Sequence, residues 1–358
     1  MVEKITASRP AAAPKKAFMR IAIIAPYSTG PMRGNITTVK RISRGFIEAG
    51  ADVTLLPMDT TSPAGIREQI DSYVPDVIHA FHAGICGEVA SNLAEQLGVP
   101  CVITITGSDI NEVRFRDTDA MKFAMARATA IACFDTAVSA KVTRYFPAAS
   151  GRIAIIPQGI AAPPCSRLSW PGISPDDFVL LLPAAIRPVK NILFPLAALV
   201  PLIGDLPKLK LVVAGGVIDS GYAAIVSEEL AASPHAVWLG EVPHEQMGSL
   251  YARADLVLNC SSYEDMPNSL LEAMALGRPV LAADIPGNQV LVRSGETGWL
   301  YRSEDEFRSM VMQLARDAAL RSDTGRRARE YVLSHFSPHI EAKLYLELFR
   351  KLVSVHHP

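Results

Sequence analysis

Short apolar runs alternate along the chain with longer stretches in which apolar residues recur every three or four positions. The run at 19–26 (MRIAIIAP) is continuously apolar and bounded by proline and glycine, which is typical of a strand buried on both faces. The next stretch, Thr37–Ala49, predicts a helix closed by Gly50. Its predicted buried face carries Val39, Ile42, Phe46 and Ile47.

The same alternation continues to the end of the chain and predicts an α/β fold with parallel sheets covered by helices on both faces. The predicted helices include Ser269–Leu276, Glu304–Asp317 and Pro338–Val353. The predicted strands are Asp52–Pro57, Val77–Ala80, Val99–Thr104, Ala130–Val138, Ile153–Pro157, Phe178–Ala184, Leu209–Ala214, Val237–Leu239, Leu256–Asn259 and Val280–Ala282.

A proline-rich segment at Ala161–Pro175 divides this series into two. At about 150 residues per domain, the 358 residues also predict two domains. We therefore expect two doubly wound Rossmann-like domains with a ligand cleft between them at the carboxyl ends of their strands. The expected limits are a disordered tail at 1–18, an N-terminal domain at 19–165, a C-terminal domain at 172–335 and a last helix at 338–353.

Composition and charge exclude several classes of protein. A net charge of −1 without a concentrated basic face argues against a nucleic-acid binder. The five cysteines are odd in number and form no C-x-x-C pair, which argues against disulfides and structural zinc and favours a reducing compartment. No apolar stretch approaches the roughly 18 residues of a spanning helix, and residues 1–18 lack the apolar core of a secretory signal.

The segment at 259–284 (NCSSYEDMPNSLLEAMALGRPVLAAD) carries the strongest chemical signal. A strand ends at Asn259, Glu264 lies in the polar loop that follows, and Glu272 lies in the next helix. The amides of residues 268–270 at the start of that helix predict an anion site suited to a phosphate. Because carboxylates beside a phosphate site suit hydroxyl donors, the pair favours a nucleotide sugar. From spacing alone, an exposed helix with two surface glutamates is the alternative.

A second basic segment, Arg187–Lys190 (RPVK), follows the strand that ends near Ala185. The planar guanidinium of Arg187 and the point charge of Lys190 both suit a diphosphate. At the carboxyl end of a strand they would face the same cleft as Glu264. Taken alone, the pair is also compatible with a solvated basic turn.

Read together, the two segments resemble family 4 of the retaining nucleotide-sugar glycosyltransferases, which have the GT-B fold. Glu264 and Glu272 have the spacing of the family's Glu-x7-Glu motif, and AAIRPVKN matches its Arg/Lys pair. The segments RGNITTVKRI, TGSDINE, IPQGIAAPP and IPGNQVLV are most similar to the glycosyltransferase-one-domain-containing proteins. The resemblance extends over nearly the whole chain.

The resemblance implies a role for each matching residue. Arg187 and Lys190 would neutralise the donor diphosphate, the task of a metal ion in other transferases, so no metal or other cofactor is expected. Glu264 would contact the transferred sugar and Glu272 the ribose, and the last helix would cross back to the N-terminal domain. The remaining donor-binding residues that it implies are Gly34, Asn35, Pro243, Met266, Pro267, Asn268, Ser269 and Leu270.

Three positions depart from the family pattern. Asp265 stands where the family commonly has glycine, Thr106 replaces the histidine of the family's His-Gly-x-Asp, and Gln158 replaces a usual asparagine. We expect none of them to remove the diphosphate machinery. Asp265 either alters donor preference or points to solvent.

Residues of the N-terminal domain are expected on the acceptor side. Strand alternation lets only one of His79 and His82 reach the cleft, and His82 is favoured because it is nearer the carboxyl end of its strand. Members of the family often have a histidine here that contacts the transferred sugar. Asp109 and Glu112 are candidate acceptor-side groups.

The leading hypothesis is a retaining transfer from a nucleoside diphosphate sugar, with a UDP-sugar favoured because uridine is common among relatives. In this family the leaving phosphate is usually described as helping to take the acceptor proton, so no side-chain nucleophile is required. The alternatives are a nucleotide-sugar epimerase or hydrolase and a non-catalytic binding module. The acceptor, whether a saccharide, a lipid-linked molecule or a small molecule, and the oligomeric state are left open.

The predicted polar face of the first helix, Lys40, Arg41 and Arg44, has two interpretations. Three charges near an anionic bilayer contribute about 3 kcal/mol, enough for peripheral contact at most. A solvated helix face is favoured, because no apolar insertion partner is evident. We therefore expect a cytoplasmic protein and leave peripheral contact with the inner face of a membrane open.

Overall fold

The computed structural model describes residues 18–28, 34–166 and 168–356, and the predicted tail at 1–18 lies outside them except for Phe18. The described residues form two sheets of six parallel strands each. The first sheet contains β1 (Arg20–Ala25), β2 (Asp52–Pro57), β3 (Val77–Phe81), β4 (Cys101–Thr104), β5 (Ala130–Cys133) and β6 (Ile153–Ile155). The second contains β7 (Phe178–Pro183), β8 (Leu209–Ala214), β9 (Ala236–Trp238), β10 (Leu256–Asn259), β11 (Val280–Ala283) and β12 (Trp299–Tyr301).

Helices connect successive strands on both faces of the sheets. Short 3₁₀ or π turns cover 83–87, 147–152, 188–190 and 200–202. The α-helices are α1 (Gly34–Glu48), α2 (Pro63–Tyr73), α3 (Glu88–Leu97), α4 (Ser108–Asn111), α5 (Val113–Arg116), α6 (Asp119–Arg127), α7 (Thr136–Tyr145), α8 (Leu193–Leu199), α9 (Ser220–Ala231), α10 (His244–Arg253), α11 (Asn268–Ala275), α12 (Pro286–Gln289), α13 (Glu304–Arg316), α14 (Ala318–His335) and α15 (Pro338–His356).

Strand order places a switch point in each sheet. The first sheet has the order β2-β1-β3-β4-β5-β6 and the second has the order β12-β11-β10-β7-β8-β9. The chain therefore reverses its direction of growth between β1 and β3, and again between β7 and β10. Loops that leave neighbouring strands at such a point diverge and leave a crevice at the carboxyl edge of the sheet.

The last helix, α15, packs against the first sheet. Its Tyr345 and Phe349 are buried in one cluster with Phe46 of α1 and Ile23 of β1. The rings of Phe46 and Phe349 pack edge to face, with their centroids 5.5 Å apart. The end of the chain thus covers the N-terminal half and connects the two sheets a second time.

Two predictions about α1 are wrong. Ile47 is 58% exposed, because a helix turns about 100° per residue and carries it off the stripe formed by Val39, Ile42 and Phe46. Arg41 is not solvated: its guanidinium donates to the carboxylate of Glu341 at 2.9 and 3.0 Å. The pair is buried under α15, with the two side chains 7% and 1% exposed.

The predicted strand Ala130–Val138 is also too long. The strand ends at Cys133, and the backbone at Asp135 is the N-cap of α7. The Asp135 carboxylate accepts a hydrogen bond from the amide of Val138 at 2.8 Å, so these residues start a helix instead of extending the strand.

Candidate active site

The carboxyl edges of the two sheets face each other across a cleft that encloses a cavity of about 290 Å³. Its walls are formed by the loops that follow β3 and β4 on one side and β7, β8 and β10 on the other. Both switch points open into it. The predicted residues that line it are His82, Glu112, Arg187, Lys190, Glu264, Met266, Pro267, Asn268, Ser269 and Glu272.

An ion pair between Lys190 and Glu264 lies at the switch point of the second sheet. Lys190 ends the turn after β7, Glu264 lies in the loop after β10, and their side-chain atoms Nζ and Oε1 are 2.5 Å apart. The hydroxyl of Ser261 donates to the same carboxylate at 2.7 Å. Burial alone would raise the pKa of Glu264, but the charge of Lys190 and these hydrogen bonds outweigh burial and lower that pKa.

Arg187 stands beside this pair and faces the N-terminal wall. Its Nη1 atom lies 3.9 Å from Oε1 of Glu112, which also accepts a hydrogen bond from the hydroxyl of Tyr263 at 3.0 Å. Burial, and then the hydrogen bond to Glu112, raise the pKa of Tyr263. The buried Nε of Arg187 has no hydrogen-bond partner among the described residues. The Arg187 side chain lines the cavity and is 32% exposed, so the rest of its guanidinium is accessible to a ligand there.

Glu272 is held by two side chains of α10. His244 Nε2 lies 3.0 Å from one carboxylate oxygen, and the hydroxyl of Tyr251 donates to the other at 2.9 Å. The hydrogen bond to Glu272 raises the pKa of His244, and burial raises the pKa of Tyr251. The carboxylate is therefore fixed in orientation at the floor of the cleft.

The start of α11 presents backbone to the cleft, with Pro267 at its N-cap. Met266, Pro267, Asn268 and Ser269 line the cavity, and their contact with a donor stays a prediction. Leu270 does not: its side chain is fully buried, and its amide donates to the carbonyl of Pro267 at 3.1 Å. The tight first turn uses this amide internally, so the predicted phosphate contact at Leu270 is wrong.

His82 is the histidine that reaches the cleft. It follows β3 directly, has a φ of 69°, and its Nε2 lies 3.1 Å from the hydroxyl of Ser108. A positive φ in a non-glycine residue is costly and is concentrated at functional sites. Burial lowers the pKa of His82, which favours a neutral imidazole. His79 is fully buried, and burial lowers its pKa to about 3.

Two more predicted positions lie away from the cavity. Asp109 is fully buried and accepts hydrogen bonds from the amides of Ala83, Thr106 and Gly107, so it shapes the wall and cannot contact an acceptor. Pro243 is the N-cap of α10 and does not line the cavity, although its neighbour Val242 does. Asp109 turns inward to backbone amides, and the loop Glu241–Pro243, whose backbone is expected to contact the donor base, lines the cavity through Glu241 and Val242 but not through Pro243.

Gly34 and Asn35 are the first residues of α1, and the loop before them and their side chains lie outside the described part of the chain, so their donor contact stays a prediction.

Cleft residues that the sequence reasoning missed include Arg114, Tyr251 and Tyr263. Tyr263 is adjacent to Glu264 and could have been found from the motif. Nothing in the pattern around Tyr251 distinguishes it from a core residue.

Within residues 18–28, 34–166 and 168–356, no three His, Cys, Asp or Glu side chains are grouped so that they could hold a metal ion. None of the helices there combines the length and the apolar character that crossing a membrane requires.

The chain is similar to known proteins in sequence and in fold. Among relatives, a glycosyltransferase 1 domain-containing protein 1 from Xenopus tropicalis is 25% identical over 332 residues, 89% of this chain and 94% of the relative. Sucrose-phosphate synthase from Thermosynechococcus elongatus superposes with a TM-score of 0.77 at 17% identity, over 94% of this chain and all of that one. HepE from Anabaena, solved with UDP and glucose, gives 0.74 at 16% identity, over 93% of this chain and 100% of that one.

Two family models match consecutive parts of the chain. Residues 20–162 match Glycosyltransferase Family 4, and residues 170–331 match Glycosyl transferases group 1. The two matched spans coincide with the two sheets. The chain therefore belongs to the family 4 glycosyltransferases and is a transferase enzyme with the GT-B fold.

Proposed function

We propose that this glycosyltransferase moves a sugar from a UDP-sugar to an acceptor hydroxyl with retention of configuration and without a metal ion. The observation that carries the proposal is the arrangement of Arg187, Lys190 and the start of α11 around one cavity. Two cations and a helix N-terminus form a site for a doubly charged leaving group.

Charge neutralisation of the diphosphate is the main chemical task. Lys190 is paired with Glu264, so donor binding would place the diphosphate where it shares the ammonium with that carboxylate. Arg187 adds a planar donor whose buried Nε has no partner among the described residues. Fixed positive groups at the point where charge develops stabilise the transition state without reorganisation.

The state of the carboxylates argues against a covalent glycosyl-enzyme intermediate. Glu264 accepts hydrogen bonds from Lys190 and Ser261, and Glu272 contacts His244 and Tyr251. Such carboxylates suit the binding of hydroxyls better than covalent attack on a sugar. We propose that the acceptor attacks from the side of the leaving diphosphate, whose phosphate oxygen takes the acceptor proton.

Uridine is the proposed base of the donor. HepE, which shares the fold, has been solved with UDP and glucose, and this supports a UDP-sugar here. We infer that Glu272 accepts hydrogen bonds from the ribose, that His82 contacts the transferred sugar at the catalytic site, and that Glu112 lines the acceptor side.

A thermal-shift titration with UDP, GDP and ADP in EDTA tests the donor. A nucleotide at about 100 times its Kd stabilises the protein by about 2.7 kcal/mol. We expect UDP to raise Tm, and Arg187→Ala to abolish the shift, whereas the exposed control Arg44→Ala retains it. A shift with GDP or ADP alone would overturn the uridine assignment, and a UDP shift that requires Mg²⁺ would overturn metal independence.

Proton NMR of the product tests retention. With a UDP-α-sugar as donor, the coupling constant of the new anomeric proton is expected to be that of an α-linkage. A β-linked product would overturn the proposed retention while leaving the UDP assignment intact.

A further inference from the structure

The side chain of Asp265, next to Glu264, points away from the second sheet and contacts the N-terminal half of the molecule. Its Oδ1 accepts hydrogen bonds from Asn111 Nδ2 at 2.9 Å and from Lys141 Nζ at 3.0 Å. Asp265 is only 7% exposed. The residue that follows the first glutamate of the motif thus bridges the two halves of the protein.

On the N-terminal side, the two residues that donate to Asp265 also contact each other. Lys141, on α7, also donates to Asn111 Oδ1 at 2.8 Å, and Asn111 Nδ2 donates to the carbonyl of Gly107 at 2.9 Å. The other oxygen of Asp265 lies 3.0 Å from where a Cβ on Gly107 would stand. The loop of Glu264 is therefore packed directly on the loop that follows β4.

All three departures from the family pattern lie along this contact between the two halves. Thr106 precedes Gly107, against which Asp265 packs. Gln158 donates to the side chain of Asn268 at the start of α11, and Asn268 in turn donates to Thr38 of α1 at 3.4 Å. Asp265 and Gln158 thus form hydrogen bonds between the two halves, and Thr106 lies next to that contact.

Lys141 also offsets the negative charge that Asp265 would otherwise place beside the diphosphate site. A second carboxylate next to Glu264 would repel a diphosphate if it were unpaired, but the Lys141 ammonium neutralises it at 3.0 Å. Lys141 is not among the residues that line the cavity. Its effect on a ligand is therefore indirect and passes through Asp265.

We propose that Lys141 is a positioning residue that, through Asp265, holds the two halves of the cleft closed and the Glu264 loop in place. The catalytic consequence rests on the proposed function, whereas closure itself is measurable without a donor. If opening makes the site incompetent, the apparent affinity for the donor falls with the closed fraction. Turnover at saturating donor is little changed, because the bound donor restores the closed state.

Lys141→Met tests the proposal in the free full-length protein. We expect faster amide hydrogen exchange in segments 106–112 and 261–267 and a larger radius of gyration by small-angle scattering. Lys141→Arg, which retains the charge, should restore both. The matched control is Lys122→Met, since Lys122 forms an exposed pair with Asp119 at a similar distance, 3.1 Å, and should change neither.

Kinetics provide the second readout. For Lys141→Met we expect the donor KM to rise about tenfold with kcat within about twofold, as when the closed fraction falls to about one tenth. If that variant does not fold, Asp265→Asn removes the charge with little change of shape and should act in the same direction. A folded variant with wild-type exchange, scattering and KM would overturn the proposal. Absence of UDP-sugar turnover in the wild type would instead count against the proposed function and leave the exchange result valid.

Discussion

Lys190 Nζ and Glu264 Oε1 lie 2.5 Å apart across the switch point between β7 and β10. The two residues are 74 positions apart in sequence, and they meet because neighbouring parallel strands end at the same edge of a sheet. Removing either partner affects both the charge available to the donor and the orientation of the other side chain.

Lys190→Ala should lower kcat/KM by about 10²–10³, the typical effect of removing one group that stabilises developing negative charge. The measurement is the initial rate of UDP release from the preferred UDP-sugar. Lys208→Ala is the control, because Lys208 forms an exposed pair with Asp176 and should leave the rate unchanged. Activity within twofold of the wild type, in a variant with an intact circular dichroism spectrum, would contradict the role of Lys190.

Gly287 supports the Glu264 loop from behind. A Cβ on Gly287 would lie 2.2 Å from the carbonyl oxygen of Glu264 and 2.7 Å from that of Asp265. Because both obstacles are backbone, Gly287→Ala must displace the loop, and overpacking of this kind costs about 1–3 kcal/mol. We expect a lower Tm and a loss of donor-induced stabilisation, measured by thermal shift with UDP.

Gly204→Ala is the matched control for Gly287→Ala. No atom lies within 4 Å of a Cβ added at Gly204, so the same substitution meets open space. Its Tm and its response to UDP should equal those of the wild type. If the two variants had the same Tm and the same response to UDP, displacement of the Glu264 loop would not affect donor binding.

Much of the fold follows from the apolar runs. Leu209–Ala214 and Leu256–Asn259 are predicted with the observed bounds, because strands of a parallel sheet are buried on both faces and their apolar runs are uninterrupted. The run at Ala130–Val138 misleads, since apolar residues of α7 continue it past the cap at Asp135. Apolar character alone does not mark where a buried strand gives way to a helix.

The candidate site is predictable where chemistry follows a strand end. Arg187, Lys190 and Glu264 follow β7 and β10, so the strand ends predict that they lie at one edge of the sheet, whereas their role at a diphosphate is implied by the family resemblance. Direction of the side chain is what the sequence does not provide. Asp109 turns inward to three backbone amides, and Arg41 pairs with a residue 300 positions away, so both depend on tertiary packing.

The His244–Glu272 pair predicts a pH dependence of stability. Because the hydrogen bond to Glu272 raises the pKa of His244 above its ordinary value of 6.5, the pair's contribution is fully present below about pH 6.5. It is lost as the pH rises through the raised value. Since His244 is partly exposed, solvent screening limits the contribution to about 1 kcal/mol or less.

His244→Gln isolates this contribution, because an amide can still donate to Glu272 but does not titrate. We expect the Tm difference between wild type and variant to be largest at acidic pH and to shrink as the pH rises. The measurement is differential scanning fluorimetry across pH 5–9. A Tm difference that is constant over that range would show that protonation of His244 does not contribute to stability.

The buried pair of Arg41 and Glu341 predicts a large effect on the docking of α15. Arg41→Met leaves the Glu341 carboxylate buried without its partner, and breaking a buried pair in this way costs about 3–5 kcal/mol. The double variant Arg41→Met/Glu341→Leu removes both charges and should recover most of that loss. Urea unfolding monitored by circular dichroism measures each free energy of unfolding.

The control lies one turn along the same helix. Arg44→Met breaks the pair between Arg44 and Glu48, whose side chains are 82% and 62% exposed, and should lower the free energy of unfolding by less than about 0.5 kcal/mol. If Arg41→Met and Arg44→Met were equally stable, the Arg41–Glu341 pair would not hold α15 against the first sheet.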